Sequence, residues 1–234
     1  MEEKRMIFDE GTELLDLAFS AELKVLAGFA VLCCLIFLPA GDVYFGGVLF
    51  LCVLFIPILI AGIVLLIKDP ALLKRRIDGK EKEKTQRGVV ALSGLMFLGG
   101  FLLCGFDHRF SWLPMPGWVS ITAAVIFLVG YGMYAEVMRE NTYLSRTIKV
   151  EEDQKVIDTG MYGIVRHPMY LATVIMFLMI PLILGSLIAL PVFLIYPLLM
   201  AVRIGNEEKV LCRELRGYRA YKKKVKYRMI PFVW

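Results

Sequence analysis

Charge is scarce in this chain of 234 residues: 21% are Asp, Glu, Lys or Arg, against 58% hydrophobic residues. The few charges are segregated between long uncharged runs, which excludes an ordinary soluble domain and points to a polytopic membrane protein. Histidine is nearly missing, with only His108 and His167. Cysteine is sparse and odd in number, and Cys33, Cys34, Cys52 and Cys104 lie inside apolar runs, leaving Cys212 alone in a basic tail. With no CxxC pair and no second His beside a Cys, a disulfide framework, a zinc site and a haem site are all set aside, and no metal is expected. A G-x-G-x-x-G turn is also lacking, which excludes a soluble dinucleotide-binding domain. Residues 1–24 are rich in acids, and no clean small-x-small site follows the first apolar run, so an uncleaved first span is expected there.

What is present is a succession of apolar runs. Spans are predicted at about Leu23–Leu38, Gly46–Ile67, Gly88–Gly105 and Trp118–Met138. Pro57 is tolerated inside the second because neighbouring helices can satisfy the freed carbonyl. Residues 1–22 carry Leu14, Leu15, Ala18 and Phe19 at helical spacing, and both an interfacial helix and a solvated tail stay open. Trp112 and Trp118 suit an aromatic belt. A helical hairpin follows at about Pro168–Leu184 and Ser186–Val202, turning at Gly185-Ser186, with kinks expected at Pro181, Pro191 and Pro197. Each arm of roughly 17 residues, or about 25 Å, barely matches a ~30 Å hydrocarbon core. The fold class expected is therefore all-α integral membrane, about six transmembrane helices with a C-terminal amphipathic helix over 204–234, where Leu211, Leu215, Tyr218 and Val225 recur at helical spacing.

The net charge of +5 acts through its placement. Basic residues crowd the loops 68–87 and 139–167 and the tail, while the intervening loops hold Arg109 alone. Six spans with both termini cytoplasmic satisfy the positive-inside bias, and this placement argues against nucleic acid as a partner. Gly130-Tyr131-Gly132, in the middle of the fourth span, reads as close helix packing.

The chemistry-bearing residues gather around one stretch, Gly160-Met161-Tyr162-Gly163-Ile164-Val165-Arg166-His167-Pro168-Met169-Tyr170. A tight hydrophobic hairpin must bring its two ends to the same membrane edge, so Arg166, His167 and Tyr170 meet Arg203, Glu207 and Glu208. Arg166 and His167 are either interfacial residues before a helix-starting Pro168, or an anion-friendly pocket at an open helix N-terminus. Glu207 and Glu208 either pair with surface lysines or, buried, bind an ammonium or sulfonium centre. Arg203 is either a snorkelling anchor or a clamp for a carboxylate or phosphate.

Gly-x-Tyr, then x-x-x-Arg-His-Pro-x-Tyr, the hairpin, Glu-Glu, Gly-Tyr-x-x-Tyr and a final basic-Val-x-Tyr-Arg-x-x-Pro together resemble the isoprenylcysteine carboxyl methyltransferase and phospholipid methyltransferase superfamily. The resemblance covers roughly residues 139–234, dividing the chain into a four-span scaffold (1–138) and a catalytic region (139–234). It implies S-adenosyl-L-methionine as cofactor. Tyr162, His167, Pro168, Met169 and Tyr170 match the family's cofactor-binding tyrosine and His-Pro-x-Tyr element. Gln154, Lys155, Val156 and Ile157 align with its cofactor-contacting loop, and Glu208 with its cofactor-binding glutamate. Arg203 resembles the arginine that holds the substrate carboxylate, one residue further from Glu208, and Ala172 stands where the family often has glycine. Glu207 and Arg203 are the residues assigned to the reaction itself.

The leading expectation is thus a membrane-embedded methyltransferase acting on a lipid or prenylated acceptor, carboxylate O-methylation favoured. The active site is expected on the cytoplasmic side of a multi-pass protein of the plasma membrane. Phospholipid N-methylation is the alternative within the superfamily. The rivals from other classes are a sterol-reductase-like oxidoreductase using NADPH and a non-enzymatic transporter or scaffold. A transporter predicts ionisable residues in mid-membrane, where Glu136 is the one close candidate.

Overall fold

A computed structural model describes residues 2–70, 72–74, 84–141, 143 and 154–234, with the side chains of these except 2–13, 84 and 85. Positions 71 and 75–83 of the basic loop 68–87, and positions 142 and 144–153 of the loop 139–167, lie outside the described residues. The chain is helical: α1 (Glu2–Ala40), α2 (Phe45–Lys68), α3 (Lys84–Phe110), α4 (Gly117–Glu140), α5 (Pro168–Ile183), the single turn α6 (Leu190–Phe193), α7 (Ile195–Glu214) and α8 (Tyr218–Lys224). A 3₁₀ turn covers Gly160–Gly163. Among the described residues, five stretches are long and apolar enough to cross a membrane: Leu14–Ala40, Phe45–Lys68, Gln86–Phe110, Gly117–Glu140 and Leu190–Glu214. The sixth apolar helix, α5, has 16 residues, or about 24 Å of rise, less than a ~30 Å hydrocarbon core.

The first span is longer than its apolar run, because helix continues through residues 2–22 without a break. The hairpin turn is also wider than Gly185-Ser186. Gly185 takes φ +80, and the second arm begins only at Leu190. Pro181 sits inside α5, whereas Pro191 stands at the first turn of α6 and Pro197 in the first turn of α7, starting helices instead of kinking one. α7 then runs past Val202 to Glu214, so Glu207 and Glu208 belong to the last apolar helix. The tail is divided: Gly217, at φ +89, breaks the helix before α8, and the chain after Val225 is irregular. Leu215, Tyr218, Tyr221 and Val225 bury against Val156, Leu211 and Cys212. Their apolar stripe therefore faces protein.

Between helices in lipid no hydrophobic driving force operates, so contact depends on shape. Small residues provide it here. A Cβ on Gly130 would lie 2.6 Å from Met176 Cγ, while one on Gly132 meets nothing within 4 Å, so of the two glycines it is Gly130 that the close α4–α5 approach requires. Gly100 likewise makes room for the fully buried Phe193, whose ring edge lies 2.6 Å from the Cβ position. Phe97 joins this layer, T-shaped to Phe177 at 4.9 Å and to Phe193 at 5.9 Å between centroids. One core extends from Ile36 in α1 to Met229 in the tail, and it holds the site end of α5 and α7 in register.

Candidate active site

The motif stretch is shaped by its own backbone. Gly160 takes φ +47, and a side chain there would collide with the Glu140 carboxylate, which also accepts a hydrogen bond from Thr159 Oγ1 at 2.8 Å. The 3₁₀ turn that follows presents Tyr162, whose hydroxyl accepts from Asn141 Nδ2 at 3.0 Å. Val165 pairs in parallel with Tyr227, and the amides of Arg166 and His167 donate to Tyr227 O (3.0 Å) and Arg228 O (2.8 Å). His167 is the N-cap of α5 and Pro168 its first residue, where a missing N–H costs nothing.

Arg166 is drawn inward. Its Nε donates to Glu208 Oε1 at 2.6 Å, and Nη1 donates to Val225 O and Lys226 O, both at 2.7 Å. The Arg166 and Glu208 side chains are 4% and 3% exposed. Lys222 Nζ reaches Glu208 Oε2 at 2.9 Å and Arg228 Nε lies 3.4 Å from it. Glu208 therefore neutralises a group of cations that binds the tail to α7. His167 Nε2 is 3.5 Å from Glu208 Oε1, within ionic reach but unaligned, and it has no hydrogen-bond partner among the described residues.

The neighbouring carboxylate faces the other way. Glu207 accepts a short hydrogen bond from the Tyr170 hydroxyl, which in turn accepts from Arg203 Nε at 2.9 Å. Glu207 Oε1 lies 3.8 Å from His167 Nδ1. These groups line a cleft whose empty volume, mouth included, is about 840 Å³, within the range of small-molecule pockets.

Of the residues expected from sequence, Gln154, Lys155, Val156 and Ile157 form one wall, and Tyr162, His167, Met169, Tyr170, Arg203 and Glu207 the others. Pro168 and Glu208 do not line the cleft: Pro168 is fully buried where α5 starts, and Glu208 lies behind it in its cation group. Tyr218, Tyr221, Asn141 and Tyr143 also line it without having been assigned a role from sequence. The two α8 tyrosines stand in the Gly-Tyr-x-x-Tyr motif, so the signal was there without a function attached. Tyr221 donates to Tyr162 O at 2.7 Å. The Tyr218 hydroxyl has no partner among the described residues although the residue is 4% exposed. Burial, and then the charges of Glu208 and Glu207, push its ionisation well above the ordinary phenol range. It is held as a neutral donor. Glu136, by contrast, pairs with Arg139 at 2.6 Å at the end of α4, away from mid-membrane.

Residues 120–213 match the model of the isoprenylcysteine carboxyl methyltransferase (ICMT) family. No curated protein matches the chain. Among solved structures it is similar to the eukaryotic intramembrane Ras methyltransferase ICMT (isoprenylcysteine carboxyl methyltransferase), determined without a monobody. The TM-score is 0.56 at 15% identity, over 99% of this chain and 86% of that one. At that identity the likeness is one of fold.

Proposed function

We propose that this chain, whose residues 120–213 match the isoprenylcysteine carboxyl methyltransferase family model, is an S-adenosyl-L-methionine-dependent methyltransferase of a lipid or prenylated acceptor. The observation that carries the reading is the cleft itself. It joins Tyr170, Arg203 and Glu207 from two apolar helices to the polar loop 154–157 and the α8 tyrosines at one edge of the bundle. Such a position is open to a water-borne cofactor on one side and to a membrane-borne acceptor on the other.

The donor set suits the cofactor. The cleft offers an anionic carboxylate in Glu207, aromatic faces in Tyr162, Tyr170 and Tyr221, and a buried neutral donor in Tyr218. When bound, S-adenosylmethionine supplies an electrophilic methyl group on a sulfonium centre. Gln154, Lys155, Val156, Ile157, Tyr162, His167, Met169 and Tyr170 are the residues we assign to hold it. Pro168 and Glu208 fix the backbone and charge behind them.

Arg203 favours a carboxylate acceptor. Its guanidinium stands at the cleft, oriented by Tyr170, and a planar cation suits an incoming carboxylate. A carboxylate arrives ionised and needs no base, so Glu207 would act by electrostatic placement and catalysis would rest on orientation and exclusion of water. N-methylation of a phospholipid amine would instead require a proton acceptor, a part open to Glu207. Lys222, Lys224 and Arg228 belong to the tail that also brings Tyr218 and Tyr221 to the cleft, and this basic tail supports placing the cleft on the cytoplasmic side of a cell membrane such as the plasma membrane.

Calorimetric titration of the detergent-purified protein with S-adenosylhomocysteine tests the reading. Micromolar binding that the His167→Ala variant loses is the expected result. A well-folded wild type that binds none would overturn it, and NADPH would be the next ligand to try.

A further inference from the structure

A second cavity lies at the opposite end of the helices. It is bounded by the start of α2 (Tyr44, Phe45), the last turn of α3 (Asp107, His108), the loop before α4 and the α5–α6 turn. The main cleft sits where α5 begins, and this cavity reaches Leu184 and Gly185 where α5 has ended. The two sites therefore face opposite membrane edges.

Asp107 is 2% exposed. Its Oδ1 accepts from Leu113 N at 3.2 Å, while Oδ2 has no partner among the described residues. Among the described residues no lysine, arginine or histidine pairs with it: His108 is engaged with Asp42 at 3.0 Å, and Arg109 lies over Phe110 at 5.8 Å. Tyr44, 9% exposed, is stacked on the His108 ring at 3.9 Å, and its hydroxyl is likewise without a partner. A buried carboxylate without a cation is costly, and so is a buried hydroxyl without a hydrogen bond. Both oxygens belong to residues that line the same cavity.

We propose that this cavity is a binding site for an alkylammonium group, unrelated to methyl transfer. A carboxylate oxygen and a phenol oxygen suit an ammonium, which donates several hydrogen bonds. Phe45, Leu113, Pro114, Met115 and Leu184 offer apolar walls to the attached carbon chain. An anion is opposed by Asp42 and Asp107. A metal ion is opposed by the donor set, since no group of three His, Cys, Asp or Glu side chains assembles among the described residues. An ethanolamine lipid headgroup and a soluble amine both present this ammonium, and the test separates them.

The test is the unfolding temperature of the full chain in detergent. It is titrated with ethylammonium chloride and, separately, with dihexanoyl phosphatidylethanolamine, against potassium chloride and dihexanoyl phosphatidylglycerol as controls. A saturable rise with at least one ammonium probe and with neither control is expected. It should weaken about tenfold or more in Asp107→Asn and persist in His167→Ala. A response to the lipid alone identifies a headgroup site, and an equal response to ethylammonium a soluble-amine site. If neither probe acts on the wild type, or Asp107→Asn responds unchanged, the proposal is overturned. Should Asp107→Asn fail to fold, Tyr44→Phe decides: a severalfold weaker response supports the site, and an unchanged one removes it.

Discussion

Arg166 and Glu208, 42 residues apart, form a buried ion pair, with Nε donating to Oε1 at 2.6 Å and both side chains almost fully enclosed. The same guanidinium holds the carbonyls of Val225 and Lys226, so one side chain joins the start of α5, the middle of α7 and the tail. Breaking such a pair by removing one partner leaves an uncompensated buried charge. Arg166→Ala should therefore destabilise the protein by about 3–5 kcal/mol. Arg166→Lys should recover little, since a point charge cannot reproduce the fork of donors. Thermal unfolding in detergent measures both. A loss of under about 1 kcal/mol in Arg166→Ala would show that the pair does not fasten the tail.

Tyr170 links Arg203 and Glu207 through one hydroxyl. Tyr170→Phe keeps the ring, its stacking on His167 at 5.7 Å and its place in the core, but removes the hydroxyl that bridges the two charged groups. The expected stability cost is about 1–3 kcal/mol. Under the proposed methyl transfer the larger effect should be on turnover, falling about tenfold or more, because Arg203 and Glu207 lose the hydroxyl that fixes their relative placement. Turnover with S-adenosylmethionine and a prenylcysteine acceptor, measured beside unfolding temperature, separates the two. Equal turnover in wild type and variant would remove Tyr170 from the positioning role.

Tyr221 closes the cleft from the tail by donating to Tyr162 O. Burial, and then the neighbouring Tyr162, push its phenol well above the ordinary range, as they do for Tyr218 through burial and the two glutamates. The folded state therefore holds these protons more tightly than the unfolded chain. Their contribution is complete below about pH 10, the unfolded phenol value, and is lost as pH rises beyond it. Tyr221→Phe should remove the Tyr221 share of that alkaline loss at a cost of about 1 kcal/mol near neutral pH. Unfolding temperature followed from pH 7 to 11 checks this, and identical alkaline slopes in the two proteins would refute it.

Much of the fold is legible in the sequence because the membrane imposes it. A backbone in hydrocarbon must satisfy its own hydrogen bonds, so a long apolar run can only be a helix. This is why the second and fourth spans lie close to where hydropathy places them. Boundaries fared worse where helix continues into polar sequence, as in α1 before Leu23 and in α7 after Val202. Hydropathy reports apolar composition and is silent about helix that continues into polar sequence. The tail shows a further limit. Its 3.6-residue stripe is real, but periodicity states that a face is covered and not by what, and here Val156 and Leu211 cover it in place of lipid.

For the site, the sequence by itself determined which residues would meet: the short hairpin forces Arg166, His167 and Tyr170 toward Arg203, Glu207 and Glu208. The family resemblance assigned Glu208 to the cofactor and Glu207 to the reaction, but no local pattern said which of the two adjacent carboxylates would face the cleft. Consecutive residues on a helix point about 100° apart, so when α7 packs, one carboxylate must turn to the cleft and the other away from it. Tertiary structure alone decided that Glu207 faces the cleft beside Tyr170 and that Glu208 lies behind it with Arg166, Lys222 and Arg228. The rotation of α7 against α5 and the tail is set by the packing of side chains distant in sequence, and no local pattern encodes it.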